Sequence, residues 1–303
     1  MKGELRIDSW YTLCYDLPAS AVRASWGGDL MCEFCIQHGE GKKWYLEAKN
    51  YSEELLNEER KRFMNDFLEN VDKGVVESLG PLDRLIATNP TAARAMFPAI
   101  VEKQKKEHWG QVVPLEEIEQ ILDMSLSVVR MPCACRGTLR GFREARYCFG
   151  VTPSESDFDA AAGNPDFSSD LEVLSREEAK KAIQKLDRNG LVHTVWTFIT
   201  PYIGGICNCS ANECLPLKTR TRLDLPILFK AEHVASIDWE ECNGCRDCMK
   251  LCSFGAISYS TSLDKCFINQ LQCYGCGVCR ALCPNDAITL LDRNAIPALA
   301  NEW

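Results

Sequence analysis

The sequence predicts an α+β fold in three parts, and three observations carry that prediction. Residues 1–125 place apolar side chains at helical spacing, and residues 126–232 join a capped helix to an apolar strand pattern. Residues 233–303 repeat themselves around regularly spaced cysteines. The chain has 303 residues, enough for about two ordinary domains. Its apolar fraction of 46% and charged fraction of 25% exclude a largely disordered or collagen-like chain. No apolar run approaches the roughly 18 uncharged residues of a membrane span. Met1–Trp10 lacks a basic segment followed by an apolar one, so no signal peptide is expected and a cytoplasmic location is. In that compartment 18 cysteines point to metal rather than to disulfides, and only four histidines accompany them.

In the N-terminal part, Cys32-Glu-Phe-Cys35 is a candidate metal-binding pair, with Cys14 and His38 as neighbours. Ile36 follows Cys35, which excludes haem attachment, and no βαβ pattern surrounds the pair as a thioredoxin-like site requires. Cys32 and Cys35 either form a small site of their own or add two ligands to the middle set below. Leu56, Phe63, Phe67 and Val71 predict a helix over Ser52–Lys73 that stops at Gly74. A second helix is expected over Thr91–His108, and a third from Pro114 through Ile118, Ile121 and Leu122.

The middle part holds six cysteines: Cys133-Ala-Cys135-Arg136, Cys148, Cys207-Asn-Cys209 and Cys214. Arg130, Arg136, Arg140, Arg143 and Arg146 surround the first group, and Lys218, Arg220 and Arg222 follow the second. In a chain of net charge −9 this is a local reversal of sign, suited to a thiolate cluster or a bound anion. An additional iron–sulfur cluster, structural zinc and uncoordinated thiols all remain open for these six. Ser175-Arg-Glu-Glu178 is a capping-box pattern for a helix that Gly190 stops, and Leu191–Ile199 then reads as a strand. Helix followed by strand would suit a winged-helix unit, but no basic recognition face appears, so no nucleic-acid partner is expected. Thr152–Asp170 reads as a long polar loop.

The C-terminal part contains a duplication with a period of 31 residues. Cys242-x2-Cys245-x2-Cys248-x3-Cys252, followed by Ala256-Ile257, returns as Cys273-x2-Cys276-x2-Cys279-x3-Cys283, followed by Ala287-Ile288. Zinc prefers separated Cys-x-x-Cys pairs, whereas each run here carries four cysteines. Over residues 237–292 the pattern resembles the bacterial-type 2[4Fe-4S] ferredoxin family. The resemblance implies two short antiparallel β-ribbons and two helices around two [4Fe-4S] clusters, with Ile257 and Ile288 beside them. It also implies crossed ligation: Cys242, Cys245, Cys248 and Cys283 for one cluster, Cys273, Cys276, Cys279 and Cys252 for the other. One position departs, because Ser253 stands where the second copy has Pro284. Cys266 has no counterpart in the other copy and reads as a small buried thiol.

Residues 126–292 also resemble a poorly characterised group of multi-cluster iron–sulfur proteins of anaerobes. There a Cys-x-Cys-Arg segment and a later Cys-Asn-Cys run precede a two-cluster module. Some members carry a denser cysteine run where Ser210–Glu213 separate Cys209 from Cys214 here. No Gly-x-Gly-x-x-Gly or Walker A pattern is present, so flavin, nicotinamide or nucleotide is expected on a partner. The expected function is low-potential electron transfer between redox partners, such as a flavoprotein, a dehydrogenase or a hydrogenase-type enzyme. The chain would act as a subunit of a larger hetero-oligomeric oxidoreductase, with one or two iron–sulfur clusters beyond the ferredoxin pair. The alternative is an iron–sulfur reductase whose middle domain holds a catalytic cluster acting on an anionic substrate.

Overall fold

Asn57 begins the first helix, its side chain accepting a hydrogen bond from the Arg60 backbone N–H at 2.9 Å. This helix, α1, runs over Glu58–Thr88 and so passes through Gly74, where the sequence pattern placed its end. A glycine inside a helix costs only about 1 kcal/mol, which tertiary packing outweighs. The helix ends instead at Asn89-Pro90, because a residue preceding proline is disfavoured in helical conformation. Asn89 then caps α2, Pro90–Glu107, by accepting from Ala92 N. The structure is a computed structural model that describes residues 43–300 except 134, 138–140, 143 and 153–170. Cys14, Cys32, Cys35 and His38 lie outside the described residues, as does most of the expected 152–170 loop.

Helix α3, Leu115–Met124, buries Ile118, Ile121 and Leu122 completely. Helix α4, Arg176–Arg188, has the predicted capping box between Ser175 and Glu178, and Gly190 follows it at φ +82°. These helices cover one face of a seven-stranded sheet ordered β4-β2-β3-β6-β5-β1-β7. Its strands are β1 (Gly110–Val112), β2 (Ser127–Met131), β3 (Cys148–Thr152), β4 (Glu172–Leu174), β5 (Val192–Thr197), β6 (Ile203–Cys209) and β7 (Leu228–Phe229). Every pairing is antiparallel except β1 with β7. Strand β5, read from the sequence as Leu191–Ile199, is buried along its whole length.

Alternation along the strands sorts the two faces. Val128, Phe149, Val151 and Ile206 join Ile118 and Ile183 on the α3/α4 side. Val129, Met131 and Phe198 instead meet Met64 and Leu68 of α1. The cysteines of β3 and β6 share the parity of the α1 side, and one further helix, α5 (Leu215–Leu223), closes that side.

The chain then enters two small antiparallel ribbons. Strand β8 (His233–Ile237) pairs β11 (Ile288–Asp292), and β9 (Ile257–Ser260) pairs β10 (Lys265–Ile268). The short helices α6 (Asp247–Leu251) and α7 (Val278–Ala281) lie between them. Two charged contacts fasten this module to α3. Arg280 of α7 donates to both oxygens of Glu116, at 2.7 and 2.9 Å. Buried Glu117 gathers Lys43 at 2.5 Å, the Tyr45 hydroxyl at 2.6 Å and His233 of β8 at 2.9 Å. Burial opposes the charge of Glu117, but donation from His233, Lys43 and Tyr45 outweighs it and holds the carboxyl down at about 2.

Candidate metal centres

The C-terminal cysteines reach their places through backbone conformations that recur at the period of the sequence repeat. Gly244 and Gly275, Arg246 and Gly277, and Gly255 and Asp286 all have positive φ, between +51° and +78°. These left-handed residues fold each run into a concave loop. Two of the glycines are forced by contact as well. A Cβ at Gly275 would lie 1.9 Å from the His233 carbonyl oxygen, and one at Gly244 would lie 2.4 Å from that of Asp264.

Each loop borders a small cavity. Cys242, Cys245, Cys248 and Cys283 line one, together with Cys266 and Ile288. Cys252, Cys273, Cys276 and Cys279 line the other, together with Ile257 and Tyr274. Each cavity therefore takes three cysteines from one copy of the repeat and the fourth from the other copy. At the second cavity backbone N–H groups donate to the sulfurs: Ala235 and Gly275 to Cys273 at 3.4 and 3.3 Å, and Ala256 to Cys252 at 3.2 Å. Burial pushes the Cys248 and Cys279 thiols up to about 12. Such thiols stay neutral unless a metal cation compensates the thiolate, and a donor set of four sulfurs with N–H groups aimed at it suits an iron–sulfur cluster. Arg293 is wholly buried behind the second cavity and donates to the carbonyls of Ala231, His233 and Cys273 at 2.7–2.9 Å.

Among the middle cysteines, strand register does the assembling. Met131, Cys148, Cys207 and Thr194 are successive cross-strand partners, which sets Cys148 beside Cys207. Cys209 shares the face of Cys207, Cys133 follows β2, and Cys214 caps α5. The intervening Asn208 points the other way. It accepts from the His193 ring at 2.6 Å, and its amide donates to the Tyr147 carbonyl at 2.7 Å. The Cys148 sulfur lies 3.4 Å from that of Cys133 and 3.9 Å from that of Cys207.

All six middle cysteines line one cavity of about 710 Å³ between the sheet, α1, α2 and α5. The sequence grouped these six by spacing, and the structure brings them to one chamber. Hydrogen bonding to Cys148, followed by burial, raises the Cys133 thiol, and burial pushes Cys135 up to about 12. Cys209 moves the other way, held down by a hydrogen bond from Cys214 and by the Arg136 guanidinium. Among the described residues, no three or more His, Cys, Asp or Glu side chains are set to hold a single metal ion. The thiols border chambers instead.

Among the described residues the arginine fringe meets the cysteines at Arg136. Arg136 sits against Cys209, stacks over the Tyr147 ring at 4.3 Å and pairs with Glu213. Arg130 pairs with Glu172 and Arg220 with Asp224, while Arg140 and Arg143 lie outside the described residues. No charged side chain is among the described residues lining the large cavity. Among the described residues, the cation nearest to an anion beside the cysteines is Arg136, set behind Cys209 and paired with Glu213.

Sequence reasoning missed His108. It lines the same cavity, stacked on Trp196 at 5.0 Å and close to Phe67 at 4.4 Å. Desolvation lowers its pKa to about 4, against the Thr197 hydrogen bond, so the ring is neutral with Nδ1–H donating to the Thr197 carbonyl at 2.7 Å. Its place depends on β1 and β5 being neighbours, which no local pattern announces. Cys266 is buried, as expected of it, and it also borders the first C-terminal cavity.

The comparison with known families agrees with this geometry. Residues 241–287, which include all eight repeat cysteines, match the 4Fe-4S dicluster domain. The match places the C-terminal stretch in the class of ferredoxin-like iron–sulfur modules and supports an iron–sulfur electron-transfer role for it. No curated protein matches the chain. Among the described residues, no helix is long and apolar enough to cross a membrane.

Proposed function

We propose that the chain relays low-potential electrons between redox proteins as a subunit of a larger oxidoreductase, using two [4Fe-4S] clusters and a further iron–sulfur centre in the middle domain. Cys242, Cys245, Cys248 and Cys283 would hold one cluster, and Cys252, Cys273, Cys276 and Cys279 the other. The observation that carries this reading is the pair of four-cysteine cavities drawn crosswise from the repeat. Clusters with four thiolates each supply one-electron transfer when bound and leave no iron open to substrate. The protein's own part is to wrap them and, at the second cavity, to aim N–H groups at the sulfurs of Cys252 and Cys273.

The middle centre would draw ligands from Cys133, Cys135, Cys148, Cys207, Cys209 and Cys214, supported by their common cavity. Iron and acid-labile sulfide per chain, measured after anaerobic purification alongside EPR of the reduced protein, test both parts. About twelve irons, or about sixteen, are expected; about eight would remove the middle centre. Replacing Cys133 or Cys207 by Ala should lower the iron content and leave the C-terminal signals unchanged.

The size of the middle cavity favours a second reading, in which the chain is a reductase. Among the described residues its lining carries no charged side chain, and with the neutral His108 it suits a neutral, apolar substrate rather than an anionic one. A change in the middle-centre EPR signal on adding a neutral aromatic such as indole, but not benzoate, would support it. An unchanged signal with both would leave the relay alone.

A further inference from the structure

Ser253 is where the first copy of the repeat departs from the second, and the structure gives the departure a partner. Pro284 follows Cys283, whereas Ser253 follows Cys252, a cysteine of the second cavity. The Ser253 hydroxyl accepts a hydrogen bond from the Ala211 backbone N–H at 3.4 Å. Ala211 lies in the loop between Cys209 and Cys214, both of which line the middle cavity. Proline at 253 would have no hydroxyl and could make no such bridge.

The same side of the second cavity is packed without a break onto the middle site. Cys207, Cys209 and Cys214 share one buried cluster with Leu217, Tyr274 and Cys276. Phe254 stacks flat on Tyr274, with ring centroids 4.0 Å apart, and both line the second cavity. The first cavity has no comparable link among the described residues. Three of its cysteines, Cys242, Cys248 and Cys283, pack within the module, and Cys245 is exposed to solvent.

We propose that the two C-terminal centres have different tasks. The one at Cys252, Cys273, Cys276 and Cys279 passes electrons to the middle centre along Cys252–Ser253···Ala211–Ser210–Cys209. The one at Cys242, Cys245, Cys248 and Cys283 would be the one external reductants reach. This rests on the reading above that both regions hold iron–sulfur centres. One electron would pass from the first centre to the second and from the second to the middle centre, each donor being oxidised by one electron as its acceptor is reduced by one. No bond breaks and no proton moves. The electron originates in a one-electron donor acting at the first centre, for which dithionite substitutes in the test. Ser253 is a positioning residue in this route.

The test uses the full chain, purified anaerobically with its iron, as Ser253→Ala, Ser253→Thr and Ser253→Pro. Substoichiometric dithionite reduces the protein, and freeze-quench EPR follows electron arrival at the middle centre. Ser253→Ala should keep its iron, slow that arrival several-fold and speed hydrogen exchange of the Ala211 amide. Ser253→Thr should restore both, and Ser253→Pro should behave as the alanine variant. Parent-like arrival in Ser253→Ala with iron intact would overturn the route, and so would equal slowing in alanine and threonine variants. About eight irons in the parent would instead overturn the middle centre itself, and the route with it.

Discussion

In the C-terminal module, three of the four cysteines around each cavity come from seven consecutive residues, whereas the six middle cysteines come from four segments spread over residues 133–214. In the module a short loop with left-handed residues builds the concavity, and the fold need only bring two loops together. Around the middle cavity no segment builds anything alone. The register of β2, β3 and β6 and the start of α5 must all be right before the thiols meet. A site of the first kind is sensitive to a single backbone angle, and one of the second kind to the whole sheet.

The most damaging test of that contrast is Gly275→Ala. Its Cβ would meet the His233 carbonyl at 1.9 Å in a conformation with φ +67°. The left-handed backbone alone costs an L-residue about 1–2 kcal/mol, and the clash adds to it. Loss of about four irons from the module is expected, with the middle centre kept. Gly205→Ala is its counterpart in the middle cavity, where the nearest contact is an ordinary 3.6 Å, and iron content should stay unchanged. Equal iron loss in both variants would break the contrast.

Next in size is Glu117→Ala, which strips Lys43, Tyr45 and His233 of a buried partner. Removing one member of such a group costs about 3 kcal/mol, readable by chemical denaturation. The same carboxylate sets a pH dependence. Its folded value lies below the unfolded one, so the unfolded state binds more protons as pH falls. The contribution is complete above about pH 4.5 and is lost towards about pH 2. In Glu117→Ala the acid branch of the stability profile should flatten over that range.

Arg136→Met should act on the middle centre alone. It removes the guanidinium that touches Cys209, Tyr147 and Glu213, at a cost of about 2 kcal/mol. Iron should fall, with the module's EPR signals retained; loss of the module's signals as well would show that the two sites are one cooperative unit. The smallest effect expected is from Ser175→Ala, about 1 kcal/mol of stability with no change in iron, since the capping box supports α4 on the sheet face opposite the cysteines.

This contrast also explains what could be read before folding. The repeat cysteines, Gly190 and the Ser175–Glu178 box act within a few residues, so their meaning is local and legible. The six middle cysteines were legible as a group, but their common chamber depends on strand order, which spacing does not encode. Gly74 misled because helix ends are set by competition, and Asn89-Pro90 was the stronger stop. Ser253 could be noticed as a departure from the repeat, yet its reason lies 42 residues away at Ala211.

The crosswise lining of the two cavities has a consequence in time. Cys242, Cys245 and Cys248 await Cys283, which follows Cys242 by 41 residues. At synthesis rates of about 5–20 residues per second, about 2–8 s pass between the first of these thiols and the last. Until Cys279 is made neither cavity has its full set of sulfurs, and the first waits four residues longer for Cys283. On the proposed ligand sets, iron delivery to either C-terminal cavity would therefore wait for the second copy to be translated, so the two sites would mature together.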